Sequence, residues 1–155
     1  MDGQQFLQTW EIHNRINLYL LDAVDPADLV SLSASKGRTV GEQFAHLHNV
    51  RLMWLKSAAP ELLAGLTKIE KEQAVEKKAL GKGLTDSGVA IKSLLDQSLR
   101  TGGKVKGFKP HANAFLGYLI SHESHHRGQI ILSLKQAGHA LDKKVLYGIW
   151  EWGVR

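Results

Sequence analysis

Apolar residues recur at intervals of three and four along most of the chain, the spacing that gathers them on one face of an α-helix. From Gln4 to Ala23 the stripe is Phe6, Leu7, Trp10, Ile16, Tyr19, Leu20 and Ala23, and Asp25-Pro26 stops it. A polar connection with Ser31, Ser33, Ser35 and Gly37 follows. Thr39-Val-Gly-Glu42 then has the form of a capping box, in which hydroxyl and carboxylate satisfy amides left free at a helix start. A second helix is expected from there to about Ser57. Pro60 opens a shorter helical stretch through Leu62, Leu63, Leu66 and Ile69, and Gly81-Lys-Gly83 reads as the close of the connection after it. The third helix is expected from near Thr85 to Gly102-Gly103, with Val89, Ile91, Leu94, Leu95 and Leu99 as its stripe. The fourth starts at Pro110 and continues through Phe115, Leu116, Leu119, Ile120, Ile130, Ile131 and Leu134 until Gly138. No segment carries a convincing strand pattern. The predicted fold is therefore all-α, an up-down four-helix bundle forming one domain over residues 1–155, with a short extra helix between the second and third. The tail from Val145 to Arg155 is too short for another core helix. Its Tyr147, Trp150 and Trp152 are expected to pack over an end of the bundle or a subunit contact.

Composition narrows the classes. At 155 residues, 43% apolar and 23% charged, the chain has the makeup of a globular domain and not of a disordered or fibrous one. It has no cysteine, so disulfides, thiolate ligands and cysteine nucleophiles are excluded. No uncharged apolar stretch approaches the roughly 18 residues of a membrane span, and the opening Met-Asp-Gly-Gln-Gln has no signal-peptide pattern; a cytoplasmic protein is expected. The net charge is +5, but Lys71, Lys77 and Lys78 alternate with Glu70, Glu72 and Glu76, the pattern of a solvated helix face. Lys104, Lys106 and Lys109 accompany one aromatic, Phe108, and not the repeated stacking residues of a single-strand binder, so nucleic acid is not the expected partner.

Histidine carries the chemistry. In His122-Glu123-Ser124-His125-His126, residues four apart differ by only about 40° around a helix, so His122 and His126 project side by side as two ligands of one metal ion would. Leu119, Ile130 and Leu134 lie on the same side, which turns this pair inward and His125 outward or toward a neighbouring subunit. The five residues also match H-E-x-x-H, in which the glutamate of a metal-dependent hydrolase is the general base. The extended protease form fails, because Gln129 and Leu132 stand where a glycine and a third histidine belong. A di-iron bundle needs a second E-x-x-H element, and none occurs. A mononuclear centre fits better, with its third ligand from helix two. His46 and His48 are the candidates there, about 200° apart around the helix; periodicity leans slightly toward His48, nearer Val40, Phe44 and Leu55, while His46 shares a broad face with Val50 and Met53, and spacing does not settle the choice. Glu123 is expected chiefly in a partly exposed salt bridge to Arg127, four residues on. His13 and Asn14 are expected to be ordinary packed or exposed residues.

The chain resembles the DinB/YfiT-like family of bacterial metal-binding four-helix bundles. The resemblance rests on Trp10 through Asn14, on Thr39-Val-Gly-Glu-Gln-Phe-Ala-His-Leu with Trp54-Leu55, and on His122-x-x-x-His126-Arg-Gly-Gln129. It implies one divalent metal ion, zinc or nickel, held by one histidine plus an H-x-x-x-H pair. The Ala-His-Leu setting matches His46, so the implied ligands are His46, His122 and His126. Three imidazoles leave a fourth position for water or substrate. The resemblance further implies a metal-dependent enzyme such as a thiol-dependent S-transferase acting on a small molecule, with a low-molecular-weight thiol as co-substrate, and a homodimer. A non-catalytic metal-binding or stress-response module is the alternative, and a hydrolase using the H-E-x-x-H match a further one. Histidine ligands must be neutral, so metal release is expected below about pH 6.

Overall fold

The computed structural model describes residues 2–155. Long helices dominate it: α1 (Gly3–Ala23), α2 (Val40–Ala58), α3 (Lys77–Arg100) and α4 (Ala112–Gln136), with a short α5 (Lys143–Gly148) in the tail. The starts of α1, α2 and α4 are capped by side chains. The Asp2 carboxylate accepts from the Gln4 amide, and the Thr39 hydroxyl accepts from the Glu42 amide while Glu42 Oε2 accepts from the Thr39 amide, completing the capping box. His111 caps α4, its Nδ1 accepting from the Ala114 amide.

The four helices form a bundle in which α1 lies against α3 and α4, and α2 against α3 and α4. Contacts along their lengths fix the directions. Trp10 reaches Gly88 and Leu21 reaches Gly81, so α1 and α3 are antiparallel. His48 meets Gly83 and Arg51 meets Ser87, so α2 and α3 run the same way. A parallel neighbour cannot be reached by a tight turn, and the chain from Ala59 to Glu76 covers the length of the bundle with two 3-10 turns, Pro60–Leu63 and Lys71–Val75. The single short helix expected there is thus two separate turns.

Two further expectations change. Helix α3 begins at Lys77, well before Thr85, and runs straight through Gly81 and Gly83. Neither glycine breaks the helix, and Gly83 is a point of close approach: a Cβ there would stand 2.6 Å from Ile69 Cδ1 and 3.2 Å from His48 Nδ1. Between α3 and α4 the chain forms a small antiparallel hairpin, β1 (Lys104–Val105) with β2 (Phe108–His111), turned by Gly107 at φ 84°. Pro110 belongs to this hairpin, and α4 starts after it.

The apolar core is divided. One cluster, containing Leu20, Phe44, Leu47, Leu80, Leu84 and Ile130, fills one end of the bundle. The other, with Phe6, Trp10, Leu55, Ile91, Phe115 and Leu119, fills the opposite end. The buried polar residues His13, Asn17, Arg51, Ser87, Glu123 and Arg127 join the helices between them.

Candidate metal centre

His46 on α2 and His122 and His126 on α4 face one another. One ring nitrogen from each falls within 4.8 Å of the others, and the ring centroids are 4.5 Å apart for His46–His126, 4.7 Å for His122–His126 and 5.3 Å for His46–His122. The H-x-x-x-H spacing sets the pair on α4 side by side, and antiparallel packing of α2 brings the third ring to them. The cluster could hold a metal ion. Tetrahedral zinc places its nitrogens about 3.3 Å apart, so closing on an ion asks each ring to move inward by about 1 Å or less. The donor set fits as well. His122 Nδ1 is buried with no hydrogen-bond partner, a deficit that a coordinated cation would satisfy.

The rings are held in the ligating form. Burial, then the charges of Arg38 and His122, lower the His46 pKa to about 4. Burial and the neighbouring His46, His122 and His125 bring His126 to about 4 also. His122 is lowered, first by burial. At neutral pH all three are uncharged imidazoles, as metal ligation requires.

A residue that sequence reasoning passed over orients one of them. Gln43 Oε1 lies 2.6 Å from His126 Nδ1, and because a carbonyl oxygen only accepts, His126 carries its proton there, which leaves Nε2 as the nitrogen with a lone pair to offer a metal. The signal was available: Gln43 is one helical turn before His46 on α2.

His48 is elsewhere. Its ring is buried between the carbonyls of Gly83 and Thr67, at 2.9 and 2.7 Å, and it takes no part in the histidine cluster. His125 is exposed, as expected.

Glu123 departs from expectation most. It is 1% exposed and makes no salt bridge to Arg127. Its Oε1 accepts from Arg51 Nε at 2.7 Å, and its Oε2 accepts from Arg51 Nη2 at 2.8 Å, Asn17 Nδ2 at 2.6 Å and His13 Nε2 at 2.7 Å. Arg127 instead donates to His13 Nδ1 and Asn17 Oδ1. A peptide i+4 pair on the surface is worth a few tenths of a kcal/mol, whereas a buried carboxylate must find a full set of donors. Asn14 completes the network by accepting from Arg51 Nη2 at 2.8 Å, and Trp10 covers the Arg51 guanidinium at 4.8 Å. Burial alone would raise the Glu123 carboxyl, but the Arg51 guanidinium and the His13 hydrogen bond hold it far below the usual carboxylate range.

Access comes from two clefts. One of about 430 Å³ reaches His46, and one of about 550 Å³ reaches His126. Gly37 and Arg38, from the loop before α2, line both. On the far side of His122 stands an aromatic wall, with Tyr118 stacked at 6.3 Å and Trp54 and Phe108 behind it. The tail packs on α1 through Arg155, whose guanidinium lies 3.7 Å over the Tyr19 ring, while Trp150 is 80% exposed and covers neither end of the bundle.

The fold and the cluster define a class: a helical-bundle protein with a three-imidazole group that could hold a metal ion. A model of the DinB family matches residues 1–143, and the chain belongs to that family. The crystal structure of a DinB-like protein from Bacillus cereus ATCC 10987 superimposes with a TM-score of 0.60 at 24% identity, over 90% of this chain and 95% of that one, which establishes the shared fold. No curated protein matches the chain.

Proposed function

We propose that the protein binds one divalent metal ion, zinc or nickel, on His46, His122 and His126, and that the loaded protein is a cytoplasmic metal-dependent enzyme, a thiol-dependent S-transferase. The observation that carries this reading is the convergence of three neutral imidazoles from two helices, with His46 lining one cleft and His126 the other. A metal held this way would supply Lewis acidity and depress the pKa of a water or thiol at its open position. The chain's own residues do the rest. Gln43 fixes the His126 tautomer, burial keeps the rings unprotonated, and the clefts admit a small molecule. No helix is long and apolar enough to cross a membrane.

A hydrolase with Glu123 as general base is disfavoured, because both carboxylate oxygens already serve Arg51 and its neighbours. A binding-only module differs in its fourth position. Cobalt-substituted protein titrated with a thiol separates the two: a thiolate-to-cobalt absorption supports the transferase, and unchanged spectra at saturation favour the module. The metal itself is tested by elemental analysis after dialysis against zinc or nickel. About one equivalent is expected in the wild type and in His48→Ala, with loss in His46→Ala and His126→Ala; a wild type that takes up neither metal overturns the reading. Sedimentation analysis tests the homodimer that belongs to the same proposal.

A further inference from the structure

The larger cleft beside the cluster has a one-sided charge. It lies between the Ser33–Arg38 loop and the residues His125, His126, Gln129 and Ser133 of α4, and among its lining residues are Lys36 and Arg38 but no aspartate or glutamate. In the smaller cleft Lys68 pairs with Glu70 and Lys71 with Glu42, which leaves Arg38 as its one cation without an ion-pair partner among the described residues. Lys36 and Arg38 have no ion-pair partner among the described residues. Arg38 is exposed, lines both clefts, and stands close enough for its charge to act on His46 and His122.

The loop that carries these cations is fastened in place. The Ala34 amide donates to Gln136 Oε1 at 2.7 Å, the Val40 amide to the Ser31 carbonyl at 3.0 Å, and Ser33 Oγ to the Lys36 carbonyl at 3.1 Å. Lys36 itself has φ 65°, a left-handed conformation unfavourable for a residue with a Cβ, and Gly37 follows at φ 93°. Two successive left-handed residues turn the chain so that Arg38 leaves the loop at the junction of the clefts. The Ser33 and Ser133 hydroxyls already donate to the Lys36 and Gln129 carbonyls, so the receptor for anionic oxygens is the two unpaired cations on a pinned loop with the Gln129 side-chain amide beside them.

We propose that this cleft binds a small anionic substrate, carrying a carboxylate or phosphate group that Arg38 and Lys36 hold beside the histidine cluster. That the anion is a substrate rests on the metal-enzyme reading; that the cleft binds an anion does not. The volume suits a small molecule, and Arg38 would choose among substrates by charge before any chemistry occurs.

The test uses the metal-free protein at low ionic strength, titrated separately with succinate and with inorganic phosphate while the ring resonances of His125 and His126 are followed by NMR. A saturable shift is expected, weakened roughly tenfold by Arg38→Gln, weakened also by Lys36→Gln, and unaffected by Lys106→Gln on the distant hairpin. The tighter of the two anions identifies the group. No saturable shift in the wild type, or wild-type affinity in both Arg38→Gln and Lys36→Gln, overturns the proposal. Anion binding by a protein that takes up no zinc would sink the metal reading and leave the anion site standing, while zinc uptake without an anion shift would do the reverse.

Discussion

Gln43 and His126 stand on different helices and share one hydrogen bond, from His126 Nδ1 to Gln43 Oε1 at 2.6 Å. That bond selects the tautomer with Nε2 unprotonated, the nitrogen left to serve as a ligand beside His46 and His122. Removing it frees the ring to rotate and to put its proton on the wrong nitrogen, without taking a ligand away. Gln43→Ala is therefore expected to weaken zinc binding about 10- to 100-fold, measured by competition with a chromophoric chelator. The substitution removes an acceptor that only the cluster uses. Gln43→Glu keeps an acceptor at the same place and should retain most of the affinity. Equal affinities for Gln43→Ala and wild type would show that the ring is oriented by packing alone.

His48 provides the opposite case. It bridges the Gly83 carbonyl on α3 and the Thr67 carbonyl of the long connection, so its work is to tie that connection to the bundle. His48→Ala should leave the zinc equivalent unchanged and lower the stability by about 1 to 3 kcal/mol, the cost of a lost buried hydrogen bond and a small void. Thermal unfolding of the metal-free protein reads this as a fall of a few degrees. Loss of zinc in a folded His48→Ala protein would reverse the ligand assignment.

Among the described residues Glu123 is the one buried carboxylate beside two buried guanidiniums, bonding Arg51 directly and sharing His13 and Asn17 with Arg127. Truncating it leaves the arginines in a low-dielectric interior with no counter-charge. Glu123→Ala is expected to lose about 3 to 5 kcal/mol in denaturant unfolding, more than any single substitution of a histidine in the cluster. Its zinc content, where the variant folds, should stay near one equivalent, because no ligand has been touched. Glu123→Gln preserves the shape and should fall between the two, and a Glu123→Gln protein of wild-type stability would mean that the arginine charges are screened by solvent.

What could be read from the sequence follows from what is local. The apolar stripes of α1, α2 and α4 are periodic within one helix, and the Thr39–Glu42 capping box spans a single turn, so both were legible. The pairing of His122 with His126 was legible for the same reason. Gly83 looks like a helix breaker in the sequence because a glycine that ends a helix and one that admits a close neighbour look alike until Ile69 and His48 are seen against it, and Gly81 lies in the same helix with only Leu21 nearby. The hairpin was hidden because β1 spans only Lys104–Val105, too short to show a period of two. Glu123 was matched with Arg127 because the sequence displays partners on the same helix; its actual partner, Arg51, is 72 residues away. The choice between His46 and His48 turned on the rotation of α2 about its axis, which is set by Phe44, Leu47 and Leu55 burying into the core. Their broad apolar arc left that rotation open.

The lowered histidine pKa values set a direction for stability against pH. An unfolded histidine titrates near 6.5, while His46 and His126 in the fold titrate at about 4. Above 6.5 both states hold the rings neutral and no penalty arises. Between 6.5 and 4 the unfolded chain binds protons that the fold refuses, so the metal-free protein loses stability as pH falls through this window, and the loss levels off below about 4. Glu123 adds to it only at lower pH, because its carboxyl is held well below the usual range and its ion pairs survive until strongly acid conditions. The same low values move metal release downward from the pH of about 6 expected of ordinary imidazoles, since protons compete with zinc only where the rings can accept them. Zinc content is therefore expected to stay constant from pH 7 to about 5 and to fall by about pH 4, while the melting temperature of the metal-free protein declines steadily over the same range. Zinc measured after equilibration at each pH, beside melting curves with and without metal, checks both halves. Half-release near pH 6 would mean that the three rings titrate like exposed histidines, which their burial against one another argues against.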